Sequence, residues 1–360
     1  MKKPCVILRA DGGPFLGMGH LVRAGALAVG LANNGIEPLL VIKDAEPEVL
    51  NFLKYSGTPF INLTAAQSRD RETEANFIAG LMTQMAPLAV FLDLANGETR
   101  KDLSGFRRYV EILKAAGKPV VALDGPSGPS FLYDTLIVPY FGAEKNIKKD
   151  PGVRLLLGPD YFIFRDEFRG VVGQERAIRE NANRVLISMG GSDPGSLTLV
   201  AVKAIAQVSS AKHVKIVLGG AFSETQTEAV RQIAEQNNFE ILKAPSDMAA
   251  LMLWCDIALV SGGLTKYELA ATGTPGISLT QHKEEDHLTA LFATQGSITH
   301  LGLGASVPVE AVTFSAAMLI KNFKERQAMS RVGKKLVDGR GLERVLQETV
   351  LAKAAEKRQS

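Results

Sequence analysis

Residues 17–23 read Gly17-Met18-Gly19-His20-Leu21-Val22-Arg23, and they follow a short aliphatic run, Val6-Ile7-Leu8. The aliphatic run is typical of a buried strand, and a helical repeat of apolar residues begins near His20. The stretch therefore lies at a strand-to-helix turn, which is where open α/β sheets bind ligands. The first N–H groups of such a helix favour an anion, and the glycines let the backbone bend sharply.

The rest of the chain alternates strand and helix patterns twice over, with a less regular segment at about 139–182. The predicted strands are Cys5–Arg9, Leu39–Ile42, Leu88–Asp93, Val120–Leu123 and Leu136–Val138, then Val185–Ser188, Val214–Leu218, Glu240–Leu242, Ile257–Val260 and Ile277–Leu279. Such alternation is typical of parallel sheets that are covered by helices on both faces. We expect an α/β protein with two Rossmann-like domains that face each other across a ligand-binding cleft.

Breaks in the pattern predict the domain boundaries. We expect a first domain at 1–165, a connecting helix at 166–182, a second domain at 183–330 and a helical tail at 331–360. A chain of this length is expected to contain more than one core.

The composition excludes several classes of protein. The formal net charge of +3, without a run of basic residues, does not indicate a nucleic-acid-binding protein. No apolar segment is long enough to span a membrane, and Arg9 and Asp11 interrupt the first apolar run. The only two cysteines, Cys5 and Cys255, lie in apolar contexts and are expected to be buried free thiols. We therefore expect a cytoplasmic protein without membrane insertion, and the sequence leaves its oligomeric state open.

His20 is the first candidate for chemistry. An imidazole with an unperturbed pKa near 6.5 suits proton transfer at neutral pH, and Arg23 follows one helical turn later. The alternative is a tight turn in which the histidine only caps the helix. A nicotinamide cofactor is disfavoured, because Val22 stands where the dinucleotide fingerprint needs its third glycine. Asp93 and Asp124 each follow an apolar strand, which puts both at the ligand edge of the first sheet.

Two loops in the second half have the composition of anion-binding nests. Gly190, Gly191 and Ser192 follow one predicted strand, and the run Ser261-Gly262-Gly263-Leu264 follows another. Neither loop is a Walker A motif, and each could instead be a plain turn. Two such nests in one domain indicate a diphosphate. Glu268, one turn after the second loop, is placed to accept ribose hydroxyls, or else only to satisfy the helix dipole.

The run from Gln281 to His287 has two histidines, His282 and His287, at a spacing that a metal site can use. Most of the run is charged, however, as is typical of the first turn of a helix or of the rim of a substrate site. We expect no metal here.

With these motifs in place, the chain resembles the UDP-sugar hydrolases of the pseudaminic acid pathway and the related spore-coat polysaccharide proteins. These in turn resemble the lipid II-forming N-acetylglucosaminyltransferases, whose fold is GT-B. The resemblance covers roughly residues 5–300. It is carried by Arg9-x-Asp11, Gly17-x-Gly19-His20-x-x-Arg23, the segment 158–168 with Gly158, Tyr161, Arg165, Glu167 and Phe168, Ser188–Asp193, and Ser261-Gly262-Gly263 with Lys266 and Glu268.

The resemblance implies a GT-B-like pair of domains and a reaction without metal or cofactor. The C-terminal half would hold UDP through the loops at 190–193 and 261–264 and through Glu268. In the hydrolases the histidine, here His20, activates a water that displaces UDP with inversion. The reaction releases a 2,4-diacetamido-2,4,6-trideoxyhexose for nonulosonic acid synthesis. Asp11 would orient His20 or bind a sugar hydroxyl. The other residues expected to bind the substrate are Gly17, Gly19, Arg23, Asp93 and Glu285.

The sequence departs from the hydrolase pattern on the sugar side. Leu94 follows Asp93 where the hydrolases often carry an Asp-His pair, Gly125 follows Asp124, and Glu284-Glu285-Asp286 replaces residues that are commonly amides. Two alternatives therefore stay open: a glycosyltransferase that uses a hydroxyl acceptor, and a UDP-sugar-binding protein without catalysis.

Overall fold

The structure is a computed structural model that describes residues 3–12, 18–43, 45, 50, 57–94, 99, 101–128, 131–148, 151–352 and 354. Gly17, one of the expected substrate-binding residues, lies outside the described residues. Contacts divide the chain into two compact units, one formed by Met1–Arg165 with Arg340–Ser360 and the other by Asp166–Gly339.

The first unit is built on a seven-stranded sheet in the order β3-β2-β1-β4-β5-β6-β7, and the strand pairs are parallel. The strands are β1 Cys5–Ala10, β2 Glu37–Lys43, β3 Phe60–Leu63, β4 Val90–Asp93, β5 Val120–Leu123, β6 Thr135–Val138 and β7 Arg154–Leu157. Within the described residues before 165, the α-helices are α1 Gly19–Asn33, α2 Arg71–Met85, α3 Leu103–Ala115 and α4 Ala143–Asn146, and a 3-10 helix spans Pro159–Tyr161.

The second unit has a six-stranded sheet in the order β10-β9-β8-β11-β12-β13, again with parallel pairs. Its strands are β8 Arg184–Ser188, β9 His213–Leu218, β10 Glu240–Lys243, β11 Ile257–Ser261, β12 Gly276–Thr280 and β13 Ile298–Leu303. Its helices are α5 Asp166–Arg169, α6 Leu197–Ala206, α7 Glu224–Gln236, α8 Met248–Trp254, α9 Thr265–Thr272, α10 Lys283–Ala293, α11 Val309–Lys321 and α12 Phe323–Leu336. The expected α/β architecture of two parallel sheets is confirmed.

Each sheet reverses its strand order at one place. In the first unit the reversal lies between β1 and β4, where Ala10 pairs with Asp93. In the second it lies between β8 and β11, where Ser188 pairs with Val260. Crevices at such switch points, outside the carboxyl ends of the strands, are the usual ligand sites of open α/β sheets. The topology therefore brings the predicted motifs to the ligand-binding edge of each sheet.

The segment expected to be a connecting helix is mostly not helical. Only α5 forms, anchored by the fully buried Phe168, and the chain then turns at Gly173, which has a left-handed φ of 86°. Beyond it, Arg176 donates to the carbonyl of Met252 (2.8 Å) and Arg179 to that of Trp254 (2.6 Å). These contacts hold the segment in an extended path against the second unit.

The C-terminal part differs from the expected tail that starts at residue 331. Residue 331 lies inside α12, and the helix α13 Gly341–Leu346, which continues as a π-helical turn over Gln347–Leu351, packs in the first unit. Leu342, Val345 and Leu346 are buried in the same core as the side chains of β1 and α1. A Cβ at Gly30 would lie 2.9 Å from Leu342, so α1 and α13 approach closely.

No helix within the described part of the chain is both long and apolar enough to cross a membrane. Cys5 and Cys255 are both buried thiols that form no disulfide, as expected.

Candidate functional site

The site of the first unit centres on His20, in the first turn of α1. Its Nδ1 atom lies 2.7 Å from Oδ1 of Asp93, the last residue of β4. The imidazole is 19% exposed while the carboxylate of Asp93 is only 3% exposed. Nδ1 of His20 is therefore held by a buried carboxylate, while part of the imidazole ring remains in contact with solvent.

Arg23, one turn further along α1, holds the other side of the same carboxylate. Its Nε donates to Asp93 Oδ2 at 2.7 Å, and its Nη2 also donates to Oδ1. Burial alone raises the pKa of a carboxyl, but the Arg23 guanidinium, with help from His20, brings the pKa of Asp93 below its ordinary value. Asp93 is thus an ionised acceptor, which favours the tautomer of His20 with its proton on Nδ1. Nε2 is then the basic nitrogen.

Two further residues extend this group: Asp124, which the sequence places at the ligand edge of the sheet without a role, and Tyr140, which it does not single out. Arg23 Nη1 donates to the hydroxyl of Tyr140 at 3.1 Å, and Tyr140 in turn bonds to Asp124. Asp124 follows β5 with a left-handed φ of 53°, and burial raises its pKa. Strained backbone and a buried acid are typical of functional sites. The sequence signal for Asp124 was its place at the end of an apolar strand; Tyr140 follows β6 in the same way.

Asp11 was expected to orient His20 or to bind a sugar hydroxyl. The orienting carboxylate is Asp93 instead, whereas Asp11 forms an ion pair with the buried Arg9 (2.8 Å). Arg9 also contacts Glu74 at 2.8 Å, which accepts a bond from Tyr109. The orienting role falls to Asp93 because β4 places it beside the start of α1, whereas Asp11 follows β1 next to Arg9. That Asp11 binds a sugar hydroxyl stays a prediction.

In the second unit, the loop after β8 is held by Asp193. Its carboxylate accepts from the backbone N–H groups of Leu197 (2.8 Å) and Thr198 (2.7 Å). The first turn of α6 is therefore capped from within the protein. The amides that the loop can offer to an anion are those before Asp193, at Gly190, Gly191 and Ser192. A Cβ at Gly190 would lie 3.5 Å from the Ser261 hydroxyl, so the two predicted loops are neighbours.

The loop after β11 is fixed by a buried lysine. Lys266 Nζ donates to the carbonyls of Gly262 (2.5 Å) and Gly263 (3.1 Å). Burial lowers the pKa of Lys266 to about 8, although Glu285 opposes the change. A Cβ at Gly262 would come within 2.3 Å of Thr280, so only glycine fits there. Lys266 is part of the sequence motif that begins at Ser261, but only its contacts in the structure show that it fixes the loop.

The first turn of α9 follows this loop directly. Leu264 at its N-cap provides no side-chain cap, so the helix start can receive an anion from outside the protein. Glu268 lies in this first turn and is half-buried.

Glu285, at the start of α10, lies beside the same loop. Its Oε1 would be 3.6 Å from a Cβ at Gly263. Its Oε2 is buried and has no hydrogen-bond partner among the described residues. A buried acceptor of this kind needs a donor, and a bound ligand can supply one.

No family model matches the chain. The spore coat polysaccharide biosynthesis protein SpsG from Bacillus subtilis (strain 168) is 27% identical over 93% of this chain and 95% of its own length. The chain itself has a GT-B fold, with two parallel sheets covered by helices.

Among the solved structures that are similar to this chain in fold are MurG and a UDP-GlcNAc 2-epimerase. MurG from Acinetobacter baumannii has a TM-score of 0.67 at 17% identity, and the match covers 96% of this chain and 99% of MurG. UDP-GlcNAc 2-epimerase from Neisseria meningitidis, solved with UDP-GlcNAc bound, has a TM-score of 0.65 at 14% identity. That match covers 97% of this chain and 100% of the epimerase.

The expected site residues of the chain form two groups, one in each unit. His20, Arg23 and Asp93 meet in the first unit, where Gly19 opens α1. In the second unit lie Gly190–Ser192, Ser261–Leu264, Glu268 and Glu285. Across the described ranges, no three histidine, cysteine or acidic side chains are grouped so that they could hold a metal ion.

Proposed function

We propose that the chain is a metal-independent hydrolase that releases UDP from a UDP-activated amino-deoxy sugar. The observation that carries the proposal is the contact of 2.7 Å between His20 Nδ1 and Asp93, with Asp93 itself held by Arg23. An imidazole fixed in one tautomer and still open to solvent is suited to be a general base. A histidine that only capped α1 would need no ionised partner.

The proposed step is a single displacement at the anomeric carbon. His20 Nε2 takes a proton from water while the water oxygen bonds to that carbon. The bond from the carbon to the β-phosphate oxygen breaks, and its electron pair leaves with UDP. Asp93 stabilises the imidazolium that forms. The products are UDP and a reducing sugar of inverted configuration.

The second unit would hold UDP. Amides at Gly190–Ser192, together with the uncapped first turn of α9, supply donors for the developing charge of the diphosphate. Glu268 would accept the ribose hydroxyls. Lys266 supports this arrangement, because it holds the Gly262 and Gly263 carbonyls on its own side and adds a positive charge behind the loop.

Glu285 would face the sugar and not the phosphates. A carboxylate repels a diphosphate, whereas its unpartnered Oε2 can accept from a hydroxyl or an N–H group of the sugar. An amino-deoxy sugar of the diacetamido-trideoxyhexose type carries such N–H groups. Surface polysaccharide or nonulosonic acid synthesis is the proposed context, supported by the name of the SpsG relative and by UDP-GlcNAc in a structure of similar fold.

The test is release of UDP from a panel of UDP-sugars with no acceptor added. We expect release by the parent protein and a loss of about 10²- to 10⁴-fold in kcat for His20→Ala, with UDP affinity unchanged. Release that depends on an added hydroxyl compound would indicate a glycosyltransferase. Conversion of the UDP-sugar without release would indicate an epimerase, and tight binding without turnover would leave only a binding role.

The glycosyltransferase is the second candidate, since a fixed imidazole deprotonates a sugar hydroxyl as readily as water. The same His20→Ala variant would then lose transfer.

A further inference from the structure

The second unit has a cavity of about 310 Å³ that lies far from the loops at 190–192 and 261–264. It lies where three neighbouring strands begin, because Arg184, His213 and Glu240 are the first residues of β8, β9 and β10. The loops proposed to bind UDP, at 190–192 and 261–264 and called the nucleotide loops below, follow the opposite, carboxyl ends of β8 and β11. The two places are separated by the length of β8, roughly 13 Å at the usual rise per residue.

The cavity carries more positive charge than its acidic residues balance. Arg184, Lys212 and Lys215 line it, against Glu240 as the acidic residue. Lys215 pairs with Glu240 at 3.4 Å. In the described part of the chain, the side chains of Arg184 and Lys212 have no carboxylate partner. The positive charges of Arg184 and Lys212 are therefore unbalanced within one small cavity, which favours the binding of an anion.

Trp254, at the end of α8, forms one wall of the cavity. The guanidinium carbon of Arg184 lies 5.8 Å from the centre of its ring, and Lys215 Nζ lies 4.7 Å from it. These cation–π contacts hold both charged groups towards the cavity. Trp254 is half-buried, so part of its apolar surface remains for a ligand.

We propose that this cavity binds a small organic phosphate, such as a sugar phosphate. Arg184 offers a planar fork of donors that matches phosphate geometry, and Lys212 adds a point charge. Trp254 provides an apolar wall for the organic part of the ligand. The cavity is within the size range of pockets that enclose small ligands. The proposal does not depend on the hydrolase reaction, because it involves none of its residues.

Trp254 is the only tryptophan of the chain, so its fluorescence reports directly on this cavity. The experiment titrates the full-length protein with glucose 6-phosphate at low salt, in the presence of saturating UDP so that the nucleotide loops are occupied. Glucose and inorganic phosphate serve as separate probes. We expect a saturable change with glucose 6-phosphate that weakens at high salt, a weaker effect of phosphate and none of glucose.

The variant Arg184→Gln/Lys212→Gln should weaken binding at least about tenfold, because each side chain supplies a charge-assisted contact. Lys203→Gln, an exposed lysine on α6 in the same unit, is the matched control and should bind as the parent does. Lys212→Glu, which changes an exposed side chain only, gives the same test if the double variant does not fold. A fluorescence change that survives these substitutions, an equal change with glucose, or no change at millimolar ligand would each overturn the proposal.

Discussion

At the scale of the residue, Asp93 supports the candidate site more than any other side chain. One of its oxygens accepts from His20 and both contact Arg23. Because it is buried and ionised, its charge is balanced only by these partners. Its loss would therefore affect both the base and the stability of the first unit.

We expect Asp93→Asn to lower kcat by about 10²- to 10⁴-fold, since the amide no longer fixes the tautomer of His20. It should also cost about 3–5 kcal/mol of stability, because Arg23 is left buried without its counter-ion. Steady-state UDP release and urea unfolding measure the two effects. Asp166→Asn, an exposed carboxylate paired with Arg169, is the control that should change neither. Activity of Asp93→Asn within threefold of the parent would contradict the assigned role.

Asp124 gives a prediction on pH. Burial raises the pKa of Asp124 above the ordinary value of an aspartic acid, so the folded protein holds this proton more tightly than the unfolded chain does. The contribution of Asp124 to stability therefore falls as pH rises from the unfolded pKa through the folded pKa. Asp124→Asn should stabilise the protein at pH 8 and do so less at pH 5, measured by urea unfolding. Asparagine tolerates the left-handed φ of 53°, so the backbone adds no penalty. A pH-independent difference would argue against an ionisable buried acid.

His20, Arg23 and Asp93 could be chosen from the sequence, because a glycine-rich turn and an apolar strand mark their places. The hydrogen bonds that join them could not be predicted from the sequence. The contact between His20 and Asp93 joins residues 73 positions apart, and that between Arg23 and Tyr140 joins residues 117 apart. Only the strand order, with β1 next to β4, brings them together.

At the scale of the element, the two loops of the second unit are shaped by different means. Asp193 fixes one loop through backbone N–H groups, and Lys266 fixes the other through carbonyls. Each loop keeps some backbone N–H groups available to a ligand. The two loops can be tested with separate variants.

Gly191→Ala separates ligand contact from folding. A Cβ there would meet no protein atom within 4 Å, so the variant should fold with an unchanged Tm. If the Gly191 amide approaches the diphosphate closely, the added methyl group should weaken UDP binding by about tenfold or more, measured by calorimetry. Gly220→Ala, also in open space, is the control. Equal UDP affinity in all three proteins would remove Gly191 from the binding loop.

Lys266 predicts how UDP affinity depends on pH. Its pKa is lowered to about 8, and the charged form binds an anion more strongly. Affinity should therefore fall above about pH 8, by at most about tenfold per pH unit, as Lys266 loses its proton. In Lys266→Met the affinity should be lower throughout and should lose this dependence. An identical slope in both proteins would place the titrating group elsewhere.

The strands that the sequence predicted are mainly the central ones, and those it missed lie at the sheet edges. β1 and β11 are buried along their whole length, so they appear as continuous apolar runs. β3, β7 and β13 are edge strands with partly exposed side chains, so their sequences carry weaker patterns. An edge strand is stabilised by its neighbour more than by its own composition.

At the scale of the whole molecule, the core of the first unit depends on residues beyond the second unit in sequence. Leu346→Ala should cost about 2–5 kcal/mol, because it leaves a cavity between α13 and α1. Leu103→Ala is the matched control, since Leu103 is 48% exposed. UDP binding should be unchanged in both variants.

The two units can be followed separately during unfolding. Trp254 belongs to the second unit, so its fluorescence reports on that unit, whereas circular dichroism reports on both. We expect Leu346→Ala to shift the circular dichroism transition to lower urea and to leave the fluorescence transition in place. Equal shifts of both signals would mean that the units unfold together.

The position of α13 also has a consequence for synthesis on the ribosome. The strands of the first sheet emerge before any part of the second unit, yet Leu342, Val345 and Val350 complete their core only after residues 166–339 have been made. Until then, apolar surface of β1 and α1 remains uncovered in the nascent chain. We expect the second unit to be able to finish folding first, so that the earlier-made half of the chain exposes apolar surface for longer during translation and has the greater need of chaperones.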